Sequence, residues 1–260
     1  MMSNKPVIWE DLTWPEIPDV LRSCGSAVLY PIGATEQHGP HLGTGVDTAI
    51  AQAVCREVSA RTRVPVLPQL AYGCSLGHSQ RWPGTLSLSP RTLIAVLSET
   101  GDWLHASGVR RLFLINSHVT NSAPVRCALE ELRARYDDLM VTLISTPDIS
   151  PRIRAAFDAD GTDWHANAAE SSLMLHLSPG MARSELFATS DDPDRTEGLE
   201  FAHPVNRTST NGTTGRPSQA SETEGRQLFE WMVEDLTHRI QAGIREVPPL
   251  PNDQQQITND

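Results

Sequence analysis

The stretch Glu36-Gln37-His38-Gly39-Pro40-His41, with Asp47 just beyond it, sets two carboxylates and two imidazoles within twelve residues. It follows closely on an apolar run, Ala27 to Ile32, of the kind that forms a buried strand. Carboxylate oxygens and imidazole nitrogens are hard-to-borderline donors suited to Zn²⁺, Mn²⁺ or Fe²⁺. Gathered round one or two such ions, these residues would make the protein a metal-activated hydrolase.

Two further clusters carry the same donor types. His118 lies in Asn116-Ser117-His118-Val119-Thr120-Asn121, and Asp163-Trp164-His165 is followed by Glu170 five residues after the imidazole. Singly, each has a plain explanation: Asp47 as a helix N-cap, His118 as a hydrogen-bonded loop residue, Glu170 as the partner of an arginine. Jointly they are harder to dismiss, because burying several carboxylates together is strongly unfavourable without a cation.

The elements that must position these residues alternate along the chain. Strands are expected at 27–32, 111–116 and 139–145, with a short candidate at 64–68. Helices are expected at 47–61, from the Ser89-Pro90 start up to Gly108, and at 122–136, 170–177 and 222–244. Such alternation predicts an α/β fold, a three-layer α/β/α sandwich with a mainly parallel central sheet. Function in such sheets gathers beyond the C-terminal strand ends, where Glu36, His38 and His118 fall. Connections 146–163 and 184–221 are long, and the second is the natural variable or lid-forming segment. Residues 1–247 read as a single domain and 248–260 as a polar, mobile tail.

With 21 basic against 32 acidic side chains, the net charge of −11 argues against nucleic acid or an anionic membrane as partner. No apolar run is long enough for a membrane span and the N-terminus carries no secretory pattern, so a cytoplasmic protein is expected. The widely spaced Cys24, Cys55, Cys74 and Cys127 then read as reduced thiols. A nucleotide-binding Rossmann reading fails, because Pro31-Ile32-Gly33-Ala34-Thr35 is not the G-x-G-x-x-G fingerprint.

The chain resembles the creatininase (creatinine amidohydrolase) family, and five ordered blocks carry the likeness. Glu36, His38, Gly39, His41 and Asp47 match its Glu-x-His-Gly-x-His signature with the spaced aspartate. Pro83-Gly84-Thr85-Leu86-Ser87, Asn116-Ser117-His118, His165-Ala166 through Glu170-Ser171-Ser172, and Gly212 through Gly215-Arg216-Pro217-Ser218 match the others. The resemblance implies two ions: Glu36, Asp47 and His118 on one, His38, Asp47 and a further carboxylate on the other, with Asp47 bridging. In creatininase itself that carboxylate lies two residues after the Asn-Gly-His histidine, where this chain has Thr120. The chain thus resembles the family's peptidase and formamide-hydrolase members more than creatininase, and Glu170 is the expected replacement ligand.

By the same resemblance His165 is catalytic, protonating the leaving nitrogen while a metal-activated water attacks the amide carbon; Glu170 assists. Ser75, His78 and Trp82, in the loop before Pro83, together with Thr120 and Trp164, are expected to meet a small-molecule amide. Ser117, Val119, Thr120 and Asn167 stand where the family has smaller residues and should narrow the pocket. The implied protein is a homo-oligomeric amidohydrolase acting on a cyclic amide, formamide or short peptide, with creatinine disfavoured. The same ligands would also serve a lactone or cyclic ketone, and a non-catalytic metal-stabilised binding protein is the rival from another class.

Overall fold

The computed structural model describes residues 5–78 and 81–250. Three parallel strands, β1 (Ala27–Ile32), β2 (Arg111–Asn116) and β3 (Met140–Ser145), pair in that order. Their register aligns Ile32 with Asn116 and Asn116 with Ser145, so all three C-terminal ends share one edge.

Side chains alternate between the two faces, as the period of two requires. Ala27, Leu29, Phe113, Ile115 and Ile144 enter one hydrophobic core; Val28, Tyr30, Ile32, Leu112 and Leu114 enter the other. The first core is covered by α2 (Val46–Thr62), α5 (Pro151–Phe157), α6 (Ala168–Leu177) and α8 (Glu222–Arg245). The second is covered by α1 (Ile17–Ser23), α3 (Pro90–Ala106) and α4 (Ser122–Arg135). A four-residue α7 (Val205–Thr208) lies in the long loop before α8. Parallel strands sandwiched by helices on both faces are the α/β/α arrangement expected.

The 64–68 candidate runs beside β1 without becoming a regular strand. Leu29 N–H donates to the Pro65 carbonyl and Leu67 N–H to that of Leu29, both at 2.9 Å. Pro65 and Pro68 have no N–H, so the ladder breaks into isolated bridges at Val66 and Leu70. Helix starts follow local capping chemistry: Ser89, Asn167 and Ser221 each accept a backbone N–H three residues on. Sequence patterning missed α5, a seven-residue helix inside the 146–163 connection. The tail expected over 248–260 lies, from residue 251, outside the described residues. The four cysteines are free thiols, three of them buried, and among the described residues no helix is long and apolar enough to cross a membrane.

This topology creates the place for a site. The chain leaving β1 passes through α2, on one face, to the 64–70 segment on β1's outer side. The chain leaving β2 passes through α4, on the other face, to β3. The connections diverge between β1 and β2, opening the crevice in which such sheets bind ligands. The helix carrying Glu170 is pressed close by α8: a Cβ on Gly225 would lie 1.8 Å from the Ser172 carbonyl oxygen, so only glycine permits this approach.

Candidate metal centre

Glu36 and His38 sit on the loop after β1, which the Glu36 N–H closes by donating to the Thr44 carbonyl at 2.8 Å. The His38 Nδ1 lies 3.0 Å from the Glu36 carbonyl oxygen. A carbonyl only accepts, so Nδ1 carries a proton, and Nε2 faces Asp47 Oδ1 at 3.4 Å and Glu170 Oε1 at 3.9 Å. His118 Nε2 lies 3.1 Å from the Cys74 carbonyl oxygen and likewise donates to it. Its Nδ1 faces Asp47 Oδ2 at 3.3 Å, while Glu36 Oε2 lies 3.3 Å from Nε2. Asp47 therefore faces His38 with one oxygen and His118 with the other. It is the second residue of α2, whose N-cap is Gly45 without a side-chain hydrogen bond, so capping does not explain it.

These separations fit a shared cation. Two ligand atoms each about 2.0–2.1 Å from a tetrahedral ion lie about 3.3 Å apart. Among the described residues, Glu36 Oε2, His38 Nε2 and Asp47 Oδ2 are buried with no hydrogen-bond partner. Glu36–Asp47–His118 and His38–Asp47–Glu170 each bring three ligand atoms within 4.8 Å of one another, and a third group, Glu36–His38–His165, overlaps both. Buried ligand atoms without a hydrogen-bond partner at this spacing are costly alone, and a divalent ion would satisfy them. The other oxygen of Glu170 accepts the Ala166 N–H at 2.6 Å, and no arginine pairs with the carboxylate among the described residues.

Electrostatics point the same way. Burial drives the Glu36 and Glu170 carboxyls upward, Glu170 to about 7. Burial opposes charge on His38 and His118 too, but Asp47, Glu170 and Glu36 outweigh it for His38, and Glu36 and Asp47 for His118. The two imidazoles rise to about 10 and about 9. In the metal-free protein, protons on these rings stand in for cations. Both folded values lie above the ordinary 6.5, so their stabilisation is complete below that pH and is lost as pH rises through about 9 to about 10. Chelator-stripped protein is therefore expected to melt at progressively lower temperature from pH 7 to pH 9.5. Metal affinity should rise over the same window, because binding must displace those protons. Calorimetry with and without chelator checks both trends, and a flat metal-free profile would contradict them.

His165 comes from the other side of the crevice. Its Nε2 donates to the Gln37 carbonyl at 2.8 Å, leaving Nδ1 bare and 3.5 Å from Glu36 Oε1. Burial, then the neighbouring His38, holds its pKa well below the ordinary value, so the resting ring is neutral. The adjoining Ala166 has φ 52°, a left-handed conformation rare for a side-chain-bearing residue. Its N–H caps Glu170 and its carbonyl accepts the His41 Nε2–H at 3.1 Å, so the strained link fixes His165, Glu170 and His41 together. Asn116 and Asn121 hold the His118 loop: Asn116 Nδ2 donates to the His118 carbonyl at 2.7 Å, and Asn121 bridges Gly33 and Cys74.

The residues open onto one cavity of about 230 Å³. Glu36, Asp47, His118, His165 and Glu170 line it, with His78, Thr120 and Trp164 from the expected substrate contacts. Trp164 packs on Phe157 and donates its indole N–H to Asp158 at 3.1 Å. Ser75 is instead fully buried, with its hydroxyl 3.1 Å from His118 Nε2, supporting that imidazole rather than lining the cavity. Trp82 lies off the cavity lining beneath the Arg81 guanidinium, and its neighbours Ser79 and Gln80 fall outside the described residues. Missed in the sequence were Asp148, Arg154 and His203, all from the two long connections. The length of those segments was the only available signal.

The profile of the creatininase family, described as creatinine amidohydrolase, matches residues 10–240. The chain belongs to the creatininase family. It is 34% identical over 232 residues to the mycofactocin precursor peptide peptidase of Mycobacterium tuberculosis (strain CDC 1551 / Oshkosh), covering 85% of this chain and 86% of that one. It is 32% identical over 263 residues to the creatinine amidohydrolase of Pseudomonas putida, covering 95% and 99%. A crystal structure of creatinine amidohydrolase superposes with a TM-score of 0.80 at 31% identity, over 94% of this chain and 100% of that chain. Another creatininase structure, described by its manganese, gives 0.79 at 30% identity over 93% and 100%.

Two departures from the creatininase pattern now have a place. Thr120 lies on the cavity wall with its hydroxyl 2.6 Å from His118 Nε2, and donates to the Cys74 carbonyl. It braces the imidazole. Asn167 was expected to narrow the pocket and does not. It is wholly buried as the N-cap of α6, accepting the Glu170 N–H and donating to the Phe157 carbonyl, so it turns away from the cavity. Capping demands an acceptor at the helix start, and that need captures the side chain.

Proposed function

We propose that this protein is a dinuclear metal-dependent amidohydrolase that cleaves a C–N bond in a cyclic amide, a formamide or a short peptide. The observation that carries the reading is the position of Asp47, one oxygen towards His38 and the other towards His118, shared by the groups Glu36–Asp47–His118 and His38–Asp47–Glu170. Glu36, Asp47 and His118 would hold one ion, and His38, Asp47 and Glu170 the other. Zn²⁺ and Mn²⁺ suit this donor set, as does Fe²⁺. Such ions, when bound, acidify water towards a pKa of about 7 and polarise an amide carbonyl.

The protein's own groups do the rest. His165, neutral and with Nδ1 bare, accepts the proton of the attacking water and then returns it to the leaving nitrogen, a role worth on the order of 10²–10⁴-fold. The expectation that His165 protonates the leaving group is thereby refined, since the resting ring must first acquire that proton. Trp164, anchored by Asp158, and Thr120 shape the wall against the substrate. A cavity of about 230 Å³ suits a small amide or the end of a peptide chain. A homo-oligomer in the cytoplasm belongs to the same reading.

Protein loaded separately with Zn²⁺, Mn²⁺ or Fe²⁺ should be assayed against lactams, formamides and short peptides, with creatinine as a slow comparator. At least one amide is expected to turn over, with activity lost to chelator and restored by metal. Fully loaded protein inert towards the whole panel would overturn the proposal.

A further inference from the structure

Gln37, between two ligands in sequence, sends its own side chain away from them. Its Oε1 accepts the Gly39 N–H at 2.9 Å, which identifies the other terminal atom as the amide nitrogen. That nitrogen donates to the Gly212 carbonyl at 3.1 Å and lies 3.1 Å from His78 Nδ1 and 3.3 Å from His165 Nε2; because His165 Nε2 gives its own proton to the Gln37 carbonyl, the second amide hydrogen goes to His78 Nδ1. The fit leaves no slack: a Cβ on Gly212 would fall 2.1 Å from Gln37 Oε1. An amide N–H only donates, so His78 Nδ1 must accept, and its proton sits on Nε2.

His78 is buried and lines the cavity beside His165, their ring centroids 4.4 Å apart. Its Nε2 has no hydrogen-bond partner among the described residues and is not sealed off by the surrounding protein. The two neighbouring imidazoles are thus set oppositely by one residue. The Gln37 carbonyl takes the proton of His165 Nε2 and leaves that ring an acceptor, whereas the Gln37 amide takes the lone pair of His78 Nδ1 and leaves this ring a donor.

We propose that His78, locked by Gln37 with its proton on Nε2, is a catalytic hydrogen-bond donor to the amide carbonyl oxygen as negative charge develops there. The assignment rests on the amidohydrolase reading for its substrate, on hydrogen-bond geometry for which nitrogen carries the proton, and on the place of His78 in the cavity lining. A preset donor needs no reorganisation during the reaction, and loss of one such donor typically costs about 10²–10³-fold in kcat.

The test uses zinc-loaded full-length protein and methylphosphonate, whose oxygens stand in for the developing oxyanion. Nitrogen NMR with imidazole-labelled histidine is expected to show His78 protonated at Nε2 alone, with that proton shifting when methylphosphonate binds. His78→Phe should weaken phosphonate binding and lower kcat on the best amide by about 10²-fold, with metal content and KM little changed. His78→Gln, which returns an N–H near the same position, should recover part of both. A proton on Nδ1, or phosphonate affinity unchanged in His78→Phe at full metal loading, overturns the assignment. Failure of the wild type to hydrolyse any amide would instead strike the functional reading, because the spectra and the phosphonate titration do not need turnover.

Discussion

Asp47→Ala is expected to remove bound metal and hydrolytic activity together while leaving the fold intact. The two Asp47 oxygens face different imidazoles, at 3.4 Å and 3.3 Å, so one truncation would withdraw a ligand from both proposed ion positions. Changing an outer-shell partner alone costs about 10–100-fold in metal affinity, and loss of a shared ligand should exceed that. The fold survives because Asp47 performs no capping and the core of α2 rests on Ile50, Val54 and Val58. Elemental analysis should show background metal, and the circular dichroism spectrum should match the wild type. Unchanged metal content would count against the bridge.

Glu170→Gln separates ligation from structure. Glu170 has two visible tasks: Oε2 accepts the Ala166 N–H, and Oε1 faces His38 Nε2. A glutamine keeps an acceptor for Ala166 but offers a neutral donor set to the ion. One of two ions per chain is therefore expected to be lost, with Glu36, Asp47 and His118 retaining the other, and kcat should fall by roughly 10²–10³-fold. Metal-to-protein ratio and kcat measured on the same preparation check both. If Glu170 serves only α6, both values stay at wild-type level and a carboxylate other than Glu170 must complete the second position.

Much of the candidate cluster was legible beforehand because coordination chemistry restricts donor types. Glu36, His38, Asp47, His118 and Glu170 lie in one buried cluster at the shared strand edge, as their types and spacing implied. The loop residues were less legible. Ser75, expected to touch substrate, braces His118, and Trp82 stands off the cavity lining. Asn167 became a helix cap, since an unsatisfied N–H at the start of α6 attracts its side chain more strongly than any demand from the pocket. Conversely, Arg154 and His203 carry no local pattern that would mark them as cavity residues.

The chain's residues alone settled the alternation of β1, β2 and β3 with their helices, because period-two and helical apolar spacing are local properties. They also settled which side chains were chemically able to hold a cation. Only tertiary packing decided that Asp47 stands between His38 and His118, that the two long connections wall the cavity, and that His78 and His165 carry their protons in opposite senses. Those outcomes depend on carbonyls and amides brought together from positions as far apart as Gln37 and Gly212, and such partners meet only when the folded backbone leaves them no other acceptor or donor.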